Sequence, residues 1–79
     1  MKKQELKKML AGIFKAREDE ITDSATINDI PGWDSISHMD LVLSLEKTFP
    51  IRLDGDEIAD MQSVKAVLEI LNKHGIEID

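Results

Sequence analysis

Apolar residues recur along the chain with helical spacing in three blocks. In the first block, Leu6, Met9, Leu10, Ile13 and Phe14 fall at i, i+3, i+4, i+7 and i+8. That spacing predicts an amphipathic helix over roughly residues 3 to 17, with one buried stripe. Two features weaken this helix: Gly12 costs about 1 kcal/mol against alanine in a helix interior, and Lys2 and Lys3 lie at the wrong end of the dipole. Packing has to compensate. Lys15 and Arg17 suit the C-terminal end.

The second block, Ile36, Met39, Leu41, Val42, Leu43, Leu45 and Phe49, covers well over half of a helical circumference. It predicts a central helix over roughly 35 to 49, which Pro50 stops because proline lacks an N–H and disfavours helical geometry just before itself. A narrow polar stripe remains on this helix, formed by Ser37, Asp40, Ser44 and Lys47. The third block, Val64, Val67, Leu68 and Leu71, follows the capping residue Ser63 and stops at Gly75, just after His74. Between the second and third blocks, Ile51 and Leu53 return to the core, and a short helix from Asp56 to about Asp60 turns Ile58 and Met61 inward. Ile76 to Asp79 reads as a frayed tail. No two-residue alternation supports a sheet, so the expected fold class is all-α: a small bundle of three longer helices and one short one.

Residues 18 to 33 show no period, and structureless loops longer than about 12–15 residues are uncommon in compact domains unless they are functional or pinned. Ile21, Ile27, Ile30 and Trp33 are the candidate pins. Asp23, Ser24, Thr26 and Asn28 supply turn chemistry between them, and Pro31 pushes Ile30 towards an extended conformation. An ordered crossover lying over the core is expected, with Trp33 as a packing residue at its end.

The crossover runs into Pro31-Gly32-Trp33-Asp34-Ser35-Ile36-Ser37-His38-Met39-Asp40, which reads as a helix start. Asp34 and Ser35 are both good N-cap residues, and the Pro-Gly pair keeps the chain before them out of helical geometry. The Ser35 hydroxyl is thereby placed beside backbone N–H groups without helical partners. Such a position favours an anion, so a phosphoserine or phosphodiester at Ser35 suits it as well as a simple cap does.

Gly32-Trp33-Asp34-Ser35-Ile36-Ser37-His38-Met39, followed by Leu41-Val42-Leu43-Ser44-Leu45-Glu46 and Phe49, resembles the acyl carrier protein family. In that family the serine of an Asp-Ser-Leu motif carries 4′-phosphopantetheine. Ser35 matches that serine, Asp34 the aspartate before it, and Ile36 replaces the commoner leucine. The resemblance covers nearly the whole chain and implies an acyl-carrier-protein-like four-helix bundle. It implies a carrier that is not an enzyme, holding an acyl group as a thioester on phosphopantetheine at Ser35 in a fatty-acid, polyketide or related dedicated pathway. An aminoacyl or peptidyl carrier of a nonribosomal-peptide type of pathway is the alternative cargo class, and an acidic helical adaptor without prosthetic group is the alternative of another kind. The implied partners are a phosphopantetheinyl transferase and acyl-loading and acyl-transferring enzymes with basic docking patches. Asp34, Ile36, Met39, Asp40, Leu43 and Glu46 are the expected recognition residues. For Met39 and Leu43, ordinary core packing fits the periodicity equally well.

With 79 residues the chain suits one domain, residues 1–79, near the lower limit at which a core alone outweighs the entropy of ordering. It has no cysteine, which removes disulfides, thiolate metal sites and a nucleophilic thiol; any thiol chemistry has to come from a cofactor. No run suits a membrane span or a secretory signal, so a cytoplasmic location is expected. The net charge of −6 is uneven: residues 1–17 carry six basic groups and one acid, residues 18–79 four basic groups and fifteen acids. That acidic body argues against nucleic-acid and membrane partners and fits a monomer docking on basic patches, although solubility alone would also account for it.

Three other chemistries are weighed and set aside. Asp54-Gly55-Asp56-Glu57 is no calcium loop, because with Gly55 at the sixth position Pro50 and Met61 fall where acids are required. A metal site lacks cysteine and a second nearby histidine. A hydrolase pairing Ser35 with His38 and Asp40 or Asp34 lacks the nucleophile elbow and an oxyanion cavity, which leaves His38 as a surface or recognition residue and His74 as a cation at a helix C-terminus.

Overall fold

The computed structural model describes all of residues 1–79. Four α-helices follow in chain order: α1 (Lys3–Phe14), α2 (Ser35–Thr48), α3 (Gly55–Asp60) and α4 (Val64–Lys73). The expected all-α bundle with three longer helices and one short one is what forms. Leu6, Leu10 and Phe14 of α1, Leu41 and Leu45 of α2, and Val64, Val67 and Leu71 of α4 are fully or almost fully buried in one core. Ser63 caps α4 by accepting the Ala66 N–H at 3.0 Å, as its position before an apolar run requires.

The first helix ends three residues earlier than its charge pattern predicts. Lys15 adopts a left-handed conformation (φ 55°), and the Ala16 N–H reaches back to the Ala11 carbonyl at 3.0 Å, the closure that satisfies the last carbonyls of a helix. The reason lies in the crossover. Gly32 runs so close to the end of α1 that a β-carbon there would lie 1.8 Å from the Phe14 carbonyl oxygen, and Trp33 stacks on Phe14 with ring centroids 4.5 Å apart. Tertiary contact thus sets the helix end, where lysine and arginine would have continued it.

The crossover is ordered, as its spacing predicts, and one turn of it, Glu18–Glu20, is a 3₁₀ helix that periodicity does not reveal. Ile21, Ile30 and Trp33 are buried pins, Ile27 is half-buried, and Ala25 is an additional buried contact. Two backbone bonds clamp its middle to the start of α4: Ile27 N–H to the Gln62 carbonyl at 2.9 Å and Val64 N–H to the Ala25 carbonyl at 3.0 Å. Lys3 and Lys7 of α1 both reach Asp23 at 3.0 Å; as exposed pairs they add little stability.

The C-terminal segment departs from expectation. Ile76 and Ile78 pack on the core, and Asp79 pairs with the other end of the chain, accepting the Lys3 N–H at 2.7 Å and donating its own to the Met1 carbonyl at 3.2 Å. Two isoleucines at alternate positions give this tail enough apolar surface to bury, so it does not fray. The short helix begins one residue before the expected Asp56, because Asp54 caps it by accepting the Glu57 N–H at 2.8 Å. Glu57 is buried and returns the contact, accepting the Asp54 N–H at 3.1 Å. Its second oxygen accepts from His74 Nε2 at 2.8 Å, with Lys73 Nζ at 3.6 Å. This ties α3 to the end of α4.

Two predictions follow from this architecture. Gly32→Ala should lower stability by at least about 1–3 kcal/mol, because the new carbon meets backbone that cannot move aside. Gly12→Ala, with nothing within 4 Å of the new carbon, should raise it by about 0.5–1 kcal/mol. Denaturant midpoints of the two variants check both signs. The second prediction concerns acid. The Asp54 N–H holds the Glu57 carboxyl below its ordinary value of 4.5; burial opposes this, while His74 and Lys73 reinforce it. A carboxyl more acidic in the fold than in the unfolded chain contributes its full stability above the unfolded value and loses it as pH falls through the folded one. The difference in melting temperature between wild type and Glu57→Gln should therefore be greatest above pH 4.5 and shrink steadily below it.

Candidate functional site

The site is the N-terminal end of α2. Asp34 is the cap: its Oδ1 accepts the Ile36 N–H at 3.1 Å and the Ser37 N–H at 2.9 Å, and its carbonyl accepts the His38 N–H at 2.8 Å. The Ser37 hydroxyl completes the motif by accepting the Asp34 N–H at 2.9 Å and donating to the Gly32 carbonyl at 2.6 Å. The Ser37 N–H is the main cause that holds the Asp34 carboxyl below its ordinary range. Asp34 is therefore a charged cap on the positive end of the helix.

Ser35 is left outside this network. It is the first residue of α2, exposed, and its hydroxyl makes no hydrogen bond. The expectation that Ser35 lies beside several free backbone donors is narrowed here: the Asp34 carboxylate already occupies the amides of Ile36 and Ser37, which leaves the N–H of Ser35 itself.

Ser37 is corrected as well. Its place on the polar stripe with Asp40, Ser44 and Lys47 suggested an exposed surface, yet it is buried, because the capping hydrogen bonds draw it under the crossover. Conversely, three apolar residues of α2 face solvent: Ile36 is 78% exposed, Leu43 60% and Met39 48%. The core-packing alternative for Met39 and Leu43 is thereby excluded. Asp40 is exposed on the same side. Glu46 is half-buried and accepts the Leu53 N–H at 2.8 Å, so it anchors the chain after α2 in addition to carrying charge.

His38 is not a free surface residue. Trp33 Nε1–H donates to His38 Nδ1 at 3.0 Å, and His38 Nε2 lies 2.8 Å from the Ile58 carbonyl. Because Nδ1 accepts, the ring proton sits on Nε2 and is donated to Ile58. Both nitrogens are engaged away from Ser35, so the serine–histidine pairing of a hydrolase does not form.

A groove of about 470 Å³ opens beside Ser35, between the start of α2 and α3. Met39, His38, Ile58, Ala59, Ile27 and Gln62 line it, with Asp34, Ser35 and Gly55. Of the large apolar side chains in and after α2, Met39 and Ile58 reach this groove. Leu53 and Met61 are buried in the core, Ile51 is half-buried outside the groove, and Leu43 borders a separate hollow between α1 and α2.

Comparison with known proteins agrees with this geometry. Residues 4–71 match the family described as "Phosphopantetheine attachment site". The chain is also 33% identical over 72 residues to the acyl carrier protein of Coprothermobacter proteolyticus, covering 90% of this chain and 87% of that one. The chain belongs to the acyl carrier protein family. As a member it is a carrier and not an enzyme, it takes a 4′-phosphopantetheine prosthetic group, and it works with a phosphopantetheinyl transferase and biosynthetic enzymes. No helix is long and apolar enough to cross a membrane.

Sequence reasoning missed two parts of this site. The three-residue spacing of Asp34 and Ser37 is that of a capping box and could have revealed the reciprocal bonds. The Trp33–His38–Ile58 chain has no local signal, since it joins residues five and twenty positions apart.

A stability prediction separates the two neighbours at the helix start. Asp34→Ala should cost about 0.5–2 kcal/mol through loss of the cap. Ser35→Ala should leave stability within about 0.5 kcal/mol, since the hydroxyl has no partner in the fold. Thermal melts of the two variants read the difference directly.

Proposed function

We propose that Ser35 is the attachment point of 4′-phosphopantetheine and that residues 1–79 act as one carrier domain for an acyl group in a fatty-acid, polyketide or related dedicated pathway. The observation that carries this reading is the exposed, unbonded Ser35 hydroxyl at the first turn of α2, beside an apolar groove and an apolar outer stripe. The prosthetic group supplies the thiol on which the acyl group is held as a thioester; the chain has no cysteine of its own to intercept it.

The protein's contribution is presentation. Asp34 fixes the start of α2, so the Ser35 oxygen projects from a rigid element towards the modifying enzyme. Its charge also keeps a phosphodiester on Ser35 from folding back onto the helix amides. Ile36, Met39 and Leu43 offer an apolar strip for partners, and Asp34, Asp40 and Glu46 supply the charge around it. Large exposed apolar side chains on one helix face suit a protein-binding patch. Charges around such a patch mainly raise the rate of encounter with a basic partner.

Incubation with coenzyme A and a phosphopantetheinyl transferase should add the cofactor's mass to the wild type and add nothing to Ser35→Ala. Modification of the alanine variant would place the attachment elsewhere. The acidic surface has its own signature. Steering between exposed charges is screened over about 8 Å at physiological ionic strength, so raising salt should slow modification while the transferase keeps its activity on a small peptide. Ile36→Asp should slow modification at every salt concentration, without loss of helix content.

A further inference from the structure

The groove beside Ser35 is shallow, and one side chain keeps it so. None of its lining residues is fully buried; the core side chains Val42, Met61 and Leu71 do not reach it. An acyl chain entering deeper from Ser35 has to part α2 from α3, and His38 ties those helices together by donating to the Ile58 carbonyl at 2.8 Å. That carbonyl lies among the last four of α3, which have no helical partner. Breaking the tie therefore leaves a backbone acceptor without a bond. The same ring receives the Trp33 indole N–H at 3.0 Å, and Trp33 is held in turn by its stack on Phe14. A ring fixed at both nitrogens resists the rotation that would open a passage.

We propose that His38 is a specificity-determining strap that restricts the groove to short acyl units, leaving the distal part of a long chain outside the protein. This rests on Ser35 as the attachment point. The strap requires the neutral imidazole with its proton on Nε2. An imidazolium has no lone pair on Nδ1 and sets an N–H against the Trp33 N–H. Among the residues lining the groove, Asp34, the cap of α2, is the other titratable group; Ile58, Ala59 and Gly55 of α3, Ile27 of the crossover and Gln62 before α4 carry no charge.

The test uses holo protein loaded with butyryl, hexanoyl, octanoyl or decanoyl thioesters. Burial of each methylene raises the melting temperature, whereas methylenes left in water do not. In the wild type the midpoint should rise over the short chains and then level off. In His38→Val, which lacks both hydrogen bonds, it should go on rising through decanoyl. In His38→Gln, where an amide can donate to Ile58, the plateau should return. A merely structural loss would lower all midpoints without changing how they depend on chain length.

A wild-type midpoint that climbs unchecked to decanoyl, or a plateau shared by His38→Val, overturns the strap. Trp33, the only tryptophan, provides a measurement on the wild type should the valine variant not fold. The plateau should disappear below the pH at which Trp33 fluorescence titrates, and should do so equally in His74→Gln; a plateau that persists there overturns the proposal. If no cofactor is added at Ser35, the intact mass reveals it before any melt, and the attachment reading falls together with the strap. If the cofactor is added and the chain-length dependence is the same in every variant, only the strap falls.

Discussion

The structure depends on how the crossover closes over the end of α1. Gly32 brings its backbone against the Phe14 carbonyl, Trp33 lays its ring on Phe14, and the indole N–H reaches His38. His38 then reaches α3 through the Ile58 carbonyl. The end of α1, the entry to α2 and the short helix α3 are thereby joined around one buried indole. A small core gains much from such a residue, since tryptophan buries a large area and an aromatic pair adds about 0.5–1.5 kcal/mol beyond it. The position and direction of Ser35 follow from this closure, because Asp34 and Ser37 fasten the first turn of α2 to the Gly32 carbonyl.

The faces of α2 divide in a way that folding alone does not demand. Leu41, Val42 and Leu45 are buried, and Ser37 joins them by satisfying its hydroxyl on the backbone. Ile36, Met39 and Leu43 stand outside at one-turn spacing. Exchanging them for polar residues would leave the core untouched, which suits the partner-facing role proposed for this face. Asp40 lies in the same stripe, and the excess of acids over residues 18–79 gives the surroundings the opposite sign to a basic docking patch. The proposed docking surface thus divides affinity and steering between different residues on one face.

Local physics made most of the fold legible. Helical spacing revealed α1, α2 and α4, Pro50 the end of α2, and isoleucine pins the ordered crossover. What stayed hidden was tertiary. Lys15 and Arg17 favour a longer α1, and only the approach of Gly32 explains why it stops at Phe14. Ile76 and Ile78 look like a tail until the pairing of Asp79 with Met1 and Lys3 is seen. At the site, the motif marked Ser35, but periodicity could not say which apolar positions of α2 face outward. A helix apolar over more than half its circumference leaves that choice to the packing of its neighbours.

Asp34 reconciles two demands that conflict at the start of α2 if Ser35 is modified as proposed. Unfilled amides at the start of α2 would draw a phosphodiester on Ser35 back onto the helix, where the dipole and the free donors favour it. The Asp34 carboxylate takes the Ile36 and Ser37 amides first, and its lowered pKa keeps it charged. The helix remains capped in either state of Ser35, so attachment at the proposed position is not needed to complete the fold. A phosphate one residue away then meets a like charge in place of a cradle. With attachment at Ser35 as proposed, an arm kept off the helix start has its reactive end free to enter a partner's active site, and the outer stripe of α2 is the surface proposed to hold that partner.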